Sequence, residues 1–544
     1  MTKKQDKRID QVNIFFLIII VIGIVLRILF IDRFPAGLNC DEASAAYNAF
    51  SILKTMSDRY GNFMPVYMSS FGLGQSALFT YLTLPFVKIF GLNIISTRLP
   101  MAVISSISLV VFYKMLKFTE FNDKIKLFAL LFFALNPWHL MKSRWGLDCN
   151  IFPDIVLIAV FFLLKYYYSN KDFNSDKTNS RFLYLSFVCL AISAYSYATS
   201  YVALSIFCIA LYVYGIKTKT ISKKQILISA LIALLITWPL ILFIVINFFD
   251  MPEVRLPFCT IPRLAINRMS RRSIISSDNV FLALVKNIFD LVKLLIIQRD
   301  GLYWNSIRGF GLYYLFAFPF FVLGIFIYIK NGKKRTRVDD IFMLWLASGI
   351  IFSLFLSEIN INRVNFVIIP IIYFIIVGFV KTFRIRYTYV VFSSVLVISF
   401  ILFSYKYIDL NIKREKGILI SEENTTVHDC FATDLESFIK YLDILDNIEK
   451  INLVNICREP QIYVLYYLKI DPREFRKGKN FNTMSYLELQ NFGKWDFSTL
   501  ASPDDMLKDR RFVYVVDKRD RSVIDENEFD IEEFSTYIIV RYKG

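Results

Sequence analysis

The chain has 544 residues, 56% of them hydrophobic, and a mean hydropathy of +0.48. Soluble domains carry less apolar residue, so the composition points to a membrane protein with a substantial polar part. The formal charge of +17 does not indicate nucleic acid, because much of the excess Lys and Arg lies in short connections between apolar runs, where it sets orientation.

The 54 Phe and 31 Tyr suit lipid-facing helices with tyrosines near the interfaces. The seven cysteines form no CxxC pair, and His139 and His428 are the two histidines, which argues against a zinc site. Cys430 and Cys457 share the C-terminal region, and their pairing stays open.

In chain order, a charge-free run from Ile14 to Leu26 leads through Arg27 to Phe30 and Ile31. No small-residue cleavage signal follows it, so it is expected to be a retained helix. Pro35 and Gly37 mark a turn, and the adjacent carboxylates Asp41 and Glu42 follow. They precede an expected helix from Ala43 to Leu53, whose N-terminus favours negative charge. An acidic pair at a bilayer surface can also take a proton from a hydroxyl or bind a cation.

Runs long enough for ~30 Å of hydrocarbon appear at 14–31, 98–117, 125–141, 151–168, 182–198, 199–216, 225–247, 311–330, 340–357, 364–380 and 388–405. The run Ser76 to Phe90 is decided by parity. With the basic N-terminus in the cytoplasm, the basic connections after residues 114, 165, 217, 330 and 381 all fall inside if 76–90 does not cross. It is therefore expected to be an interfacial or re-entrant helix. The expectation is a multi-pass cell-membrane protein with eleven spans, N-terminus in and C-terminus out.

Three outward segments follow. The first, from Asp32 to about Thr97, holds Asp41 and Glu42; the second holds Arg144 and Asp148, whose spacing of four would share a face of a helical turn. The third, 247–310, carries Arg255, Arg263, Arg268, Arg271 and Arg272, which suit an anionic lipid phosphate. It also holds 280–298, where Phe281, Leu284, Val285, Ile288, Leu291, Val292 and Leu295 fit a 3.6-residue period and predict an amphipathic helix lying on the membrane. A further outward turn, Ser357 to Arg363, offers Glu358, Asn360, Asn362 and Arg363. From about residue 406 the composition changes. A helix at 434–445 and strands at 451–456, 512–516 and 537–540 predict a small C-terminal α/β domain, so the expected division is 1–405 and 406–544.

The run Phe34-Pro35-Ala36-Gly37-Leu38-Asn39-Cys40-Asp41-Glu42-Ala43-Ser44, with Gly61-Asn62 and the later Tyr81 to Pro85, resembles the first outer loop of a polytopic glycosyltransferase family. Arg98-Leu99-Pro100, Asn136-Pro137-Trp138-His139, Ser143-Arg144 with Asp148 and Asn150, and Gly301 to Ile307 continue the likeness in order along nearly the whole chain. The family is the GT-C superfamily, and within it the bacterial relatives of protein O-mannosyltransferases and the lipid A aminoarabinose transferase. The resemblance implies a sugar donor on a polyprenyl phosphate, transfer on the outer face, and an inverting, usually metal-independent reaction. No cofactor is required by it, while a divalent cation stays compatible. It implies Asp41 as general base, with Glu42 orienting it or holding the acceptor. Arg144 and Asp148 would position donor or acceptor, together with Glu358 and Asn362. Arg363 and Arg255 would hold the lipid phosphate. Asp148 stands where similar sequences often have Glu, one methylene longer.

The chemistry is coherent on its own terms. A sugar on a phosphate already has a leaving group, so no nucleotide-binding Gly-rich loop is needed, and the chain has none. The acceptor hydroxyl needs a carboxylate base, and the departing phosphate a fixed guanidinium. Direct displacement then expects Asp41 and Arg363 to flank one cavity. The acceptor belongs to the cell envelope: a protein, a polysaccharide, teichoic acid or lipid. The rival reading is a transporter or flippase for a glycan or lipid-linked substrate, with a non-enzymatic scaffold as a third.

Overall fold

The computed structural model describes residues 2–543 apart from 72, 171–172, 174–178, 266–273, 275–278, 303, 384, 386, 417–430, 446–447, 454–456, 458, 479, 482–488 and 498–510. Cys430, His428, Arg268, Arg271 and Arg272 lie outside the described residues. The chain divides into two compact units. One comprises Met1–Leu29, Met101–Leu242 and Arg268–Lys406; the other comprises Phe30–Pro100, Phe243–Asn267 and Tyr407–Gly544. Residues after 407 thus share a unit with the Asp41 segment.

Each predicted run is helical. In chain order the helices are α1 (Thr2–Ile28), α2 (Cys40–Thr55), α3 (Ala77–Phe90), α4 (Ile94–Leu116), α5 (Asp123–Ala134), α6 (Pro137–Lys142), α7 (Phe152–Ser169) and α8 (Arg181–Ser193). They continue as α9 (Ser200–Lys217), α10 (Lys223–Phe248), α11 (Val280–Ile297), α12 (Phe318–Asn331), α13 (Arg337–Leu354), α14 (Ile361–Val364), α15 (Ile368–Thr382) and α16 (Thr388–Glu415). Among the described residues, seven helical stretches are long and apolar enough to cross a membrane: those containing α4, α7, α9, α10, α12, α15 and α16. The other four predicted spans are shorter or more charged. The run 125–141 breaks where Asn136 caps α6 and Pro137 opens it, and α13 begins with Arg337, Asp339 and Asp340. With 14 residues, α3 extends about 21 Å, short of the hydrocarbon thickness.

In the first unit α15 is the inner helix, buried along nearly its whole length, whereas α12 and α16 expose most of theirs. Glycines let α12 and α15 touch backbone to backbone. A Cβ on Gly324 would run into the backbone oxygen of Phe374, and one on Gly378 into that of Phe320. Helices in lipid gain from such close approach because apolar side chains alone give no preference for protein over lipid tails.

In the second unit, α2 and α3 pack together, and the C-terminal segment forms a seven-stranded mixed sheet. Its strands are β7 (Lys450–Leu453), β8 (Asn480–Phe481), β9 (Leu489–Phe492), β10 (Trp495–Asp496), β11 (Phe512–Asp517), β12 (Phe529–Glu533) and β13 (Tyr537–Tyr542), in the order β12-β13-β11-β7-β10-β9-β8. β7 runs parallel to β11 and β10; the other neighbours are antiparallel. Helices α17 (Leu435–Ile444), α18 (Pro460–Tyr467) and α19 (Pro472–Gly478) accompany it. This is the expected small α/β fold, and its apolar face is continuous with α2. Leu38, Ala43, Ala46 and Tyr47 lie in the same buried cluster as Leu435, Phe438, Tyr463 and Ile539. Strand pairs β1 (Leu38–Asn39) with β6 (Phe431–Ala432), β2 (Tyr67–Met68) with β3 (Gln75–Ser76), and β4 (Val254–Arg255) with β5 (Thr260–Ile261) complete the unit.

Candidate functional site

The predicted catalytic pair sits at the head of α2, and its two members have different surroundings. Asn39 is the N-cap: its side chain accepts from Asp41 N, and its own N–H donates to Glu42 Oε2 at 3.1 Å, a reciprocal capping box. Glu42 is fully buried against Arg98, with Nε to Oε1 at 3.0 Å and Nη2 to Oε2 at 3.1 Å. The same guanidinium donates to the carbonyls of Ile31, Pro35 and Gly37. One arginine therefore ties down the turn that leads into α2. Asp41 is half-buried, and its carbonyl accepts from Gln75 Nε2 at 3.0 Å. Glu42, fully buried, holds the backbone in place, and Asp41 is the half-buried member of the pair.

Two residues that the sequence reading did not single out follow the end of α2. Asp58 is fully buried and accepts from Tyr60 N, Asn62 N and Asn62 Nδ2, each at 2.9 Å. Burial raises its pKa above the ordinary carboxylate value, and those hydrogen bonds oppose the rise. Arg59, 2% exposed, donates to Ser44 Oγ at 2.7 Å and Ser70 Oγ at 3.3 Å, between the rings of Tyr60 and Phe71. The signal that could have found them is the α2 pattern Asp41, Ser44, Asn48, Ser51, Thr55, a polar stripe on an otherwise apolar helix.

Arg255, in the same unit, is exposed and paired with Glu253 at 2.6 Å, so an ion pair with a sequence neighbour engages it.

The remaining predicted residues belong to the other unit. Arg144 donates to Leu26 O at 2.6 Å and Leu29 O at 2.8 Å, closing the end of α1. The expected helical turn joining it to Asp148 is not formed. α6 ends at Lys142, residues 143–147 turn, and Asp148 opens a 3-10 turn, its Oδ1 accepting from Cys149 N at 2.7 Å. Beneath that turn lies a buried network. His139 meets Arg27 at 2.7 Å through Nδ1 and Asp154 at 3.0 Å through Nε2, while Asp154 also accepts from Lys142 Nζ at 2.6 Å and Ser105 Oγ at 2.9 Å. His139 is thus a structural histidine with both ring nitrogens engaged.

Arg363 and half-buried Asn362 lie on the single turn α14, capped by Asn360, whose side chain accepts from Arg363 N. Arg363 reaches exposed Glu358 at 3.2 Å, and also Ser357 Oγ and Glu358 O. Asp300 braces this turn: its Oδ2 accepts from Ile361 N and Asn305 Nδ2, both at 2.8 Å, and its Oδ1 accepts from Leu302 N. Burial raises the Asp300 pKa, again against those hydrogen bonds. The predicted amphipathic helix is α11. Its Asn287 donates to the carbonyls of Leu354 and Leu356, while Phe281, Ile288, Phe289 and Val292 face outward. Among the described residues, no three His, Cys, Asp or Glu side chains group as a metal site.

No protein-family model matches the chain, and the comparison with curated proteins found no match. Solved structures are. ArnT from Cupriavidus metallidurans bound to undecaprenyl phosphate aligns with a TM-score of 0.54 at 11% identity, over 96% of this chain and 97% of that one. The apo structure of the same protein gives a TM-score of 0.51 with the same identity and coverage. The archaeal oligosaccharyltransferase AglB from Archaeoglobus fulgidus gives 0.49 at 12% identity, over 84% of this chain and 63% of that one. Over nearly its full length the chain shares the fold of ArnT.

Proposed function

We propose that the chain is an inverting membrane glycosyltransferase that moves a sugar from a polyprenyl phosphate to a hydroxyl of the cell envelope on the outer membrane face. The observation that carries this reading is the division of labour at the head of α2, where Glu42 is locked by Arg98 and Asp41 is left half-buried on a fixed backbone. A general base needs that combination of exposure to substrate and restricted position. The ArnT likeness supports the same reading, since that protein binds undecaprenyl phosphate.

In the proposed reaction the acceptor oxygen attacks the anomeric carbon, and Asp41 takes the hydroxyl proton. The carbon–oxygen bond to phosphate breaks, and polyprenyl phosphate leaves with the electron pair. Arg363 is assigned to that phosphate, which would displace its exposed partner Glu358. Asn362 and Asp148 are assigned to donor or acceptor positioning, and Arg144 supports the second connection by closing α1. Arg59 is a second candidate cation, buried among hydroxyls and rings on the α2 side. No step requires a metal ion.

The transporter reading has less support. Transport sites usually place ionisable groups on broken helices at mid-span. Arg27 and Asp154 lie in the end turns of α1 and α7, and with His139 and Lys142 of α6, after the Asn136–Pro137 break, they are engaged by hydrogen bonds within one buried network. The test is to reconstitute the protein with a polyprenyl-phosphate sugar and membrane acceptors and to follow donor loss. Turnover supports the proposal, and its absence across several sugars contradicts it.

A further inference from the structure

The residues that fix the position of Asp41 come from distant parts of the chain. Asn39, the cap of α2, is a rung of a two-stranded ladder: it lies opposite Phe431, and Leu38 lies opposite Ala432. Gly37, one residue earlier, has φ +79° and lies so close to β6 that a Cβ would sit 2.7 Å from Phe431 O and 2.9 Å from Ala432 O. Any side chain there would push β6 away besides straining the backbone. Tyr463, buried in α18, donates its hydroxyl to Leu38 O at 3.0 Å.

The far part of α2 is held in the same way. Tyr47 OH donates to Ile470 O at 2.9 Å. Arg476 Nη2 donates to Ser51 Oγ at 3.1 Å, Thr55 Oγ1 at 2.8 Å and Asp58 O at 2.6 Å. Between these points the apolar side chains of α2 and of the C-terminal helices form one core. A detachable acceptor-binding module would instead leave α2 anchored without it.

We propose that the C-terminal segment is a positioning part of the catalytic centre, with β6 and Tyr463 holding residues 37–39 and, through them, the Asp41 carboxylate. The proposal deepens the reading of Asp41 as general base and rests on it. A base shifted by about 1 Å loses on the order of 10²-fold in rate without weakening substrate binding. An acceptor-selecting module predicts the opposite: a raised acceptor KM at unchanged kcat.

Two variants and two readouts test this. Gly37→Ala should lower kcat by on the order of 10²-fold, and Tyr463→Phe by several-fold, with donor and acceptor KM unchanged. Amide hydrogen exchange of residues 38–48 should be faster in Tyr463→Phe than in wild type, while exchange in α15 stays the same. This second readout needs no activity and does not depend on Gly37→Ala folding. Unchanged exchange at 38–48, or a raised KM with intact kcat, overturns the proposal. If the wild type turns over no donor, the reading of Asp41 as base fails, and the exchange measurement alone decides whether the C-terminal segment holds α2.

Discussion

Arg98 and Glu42 form a fully buried, two-pronged ion pair, and three backbone carbonyls occupy the rest of the guanidinium. Such a pair is costly to break from one side, because the remaining charge stays buried without its counterpart; the loss is about 3–5 kcal/mol. Arg98→Ala and Glu42→Gln are therefore expected to lower thermal stability sharply in detergent. Asp41→Asn, at a half-buried position outside that ion pair, should lose less stability than either. Equal stability of all three variants would contradict the division of roles between the two carboxylates.

A second expectation concerns Asp154. Its carboxylate serves Lys142, His139 and Ser105 in a site without solvent exposure. Asp154→Asn keeps the shape but leaves the Lys142 ammonium without its counter-charge, so a loss of about 3–5 kcal/mol is expected. Urea or thermal unfolding of the reconstituted protein checks it. Asp154→Leu with Lys142→Met, which removes both charges, should recover part of the loss.

The helix crossing at Gly324 and Gly378 has no room for a methyl group on either side. Gly324→Ala or Gly378→Ala should destabilise the first unit by about 1–3 kcal/mol through overpacking. The double variant should cost less than the sum of the singles, because once the helices separate the second methyl has space. Strict additivity would mean that the two contacts yield independently.

Asp300 supplies a pH test. Its raised pKa means that the folded chain binds this proton more tightly than the unfolded one. Its contribution to stability therefore rises as pH falls from the raised folded value toward the unfolded value of about 3.9. The difference in melting temperature between wild type and Asp300→Asn should move in favour of wild type across that window. A shift in favour of the variant is what an ion-paired carboxylate would give, and it would contradict a pKa set by burial.

Part of this fold is legible in the sequence, and part is hidden in it. Apolar length and periodicity locate all the predicted helices, because each such helix must satisfy its own backbone in lipid whatever it packs against. Three C-terminal strands, β7, β11 and β13, are visible as β-branched and aromatic runs, whereas β8, β9, β10 and β12 carry no such run and go unread. The spacing of Arg144 and Asp148 misleads, since the four-residue rule assumes a helix that Gly146 and the turn at 143–147 interrupt. The partners of Glu42 and Leu38 are hidden for a different reason. Arg98 lies 56 positions from Glu42 and Tyr463 lies 425 from Leu38, and β1 and β6 have two residues each, too short for any pattern. Buried polar bonds of this kind follow from the tertiary fold and leave no local period to read.

Turnover of donor by Asp41→Asn in a reconstituted membrane, compared with wild type at saturating donor and acceptor, tests Asp41 as the proposed base. If Asp41 takes the proton, kcat falls by at least about 10²-fold, with a smaller loss of melting temperature than Glu42→Gln shows. A variant that still transfers sugar at the wild-type rate would show that another group takes the proton.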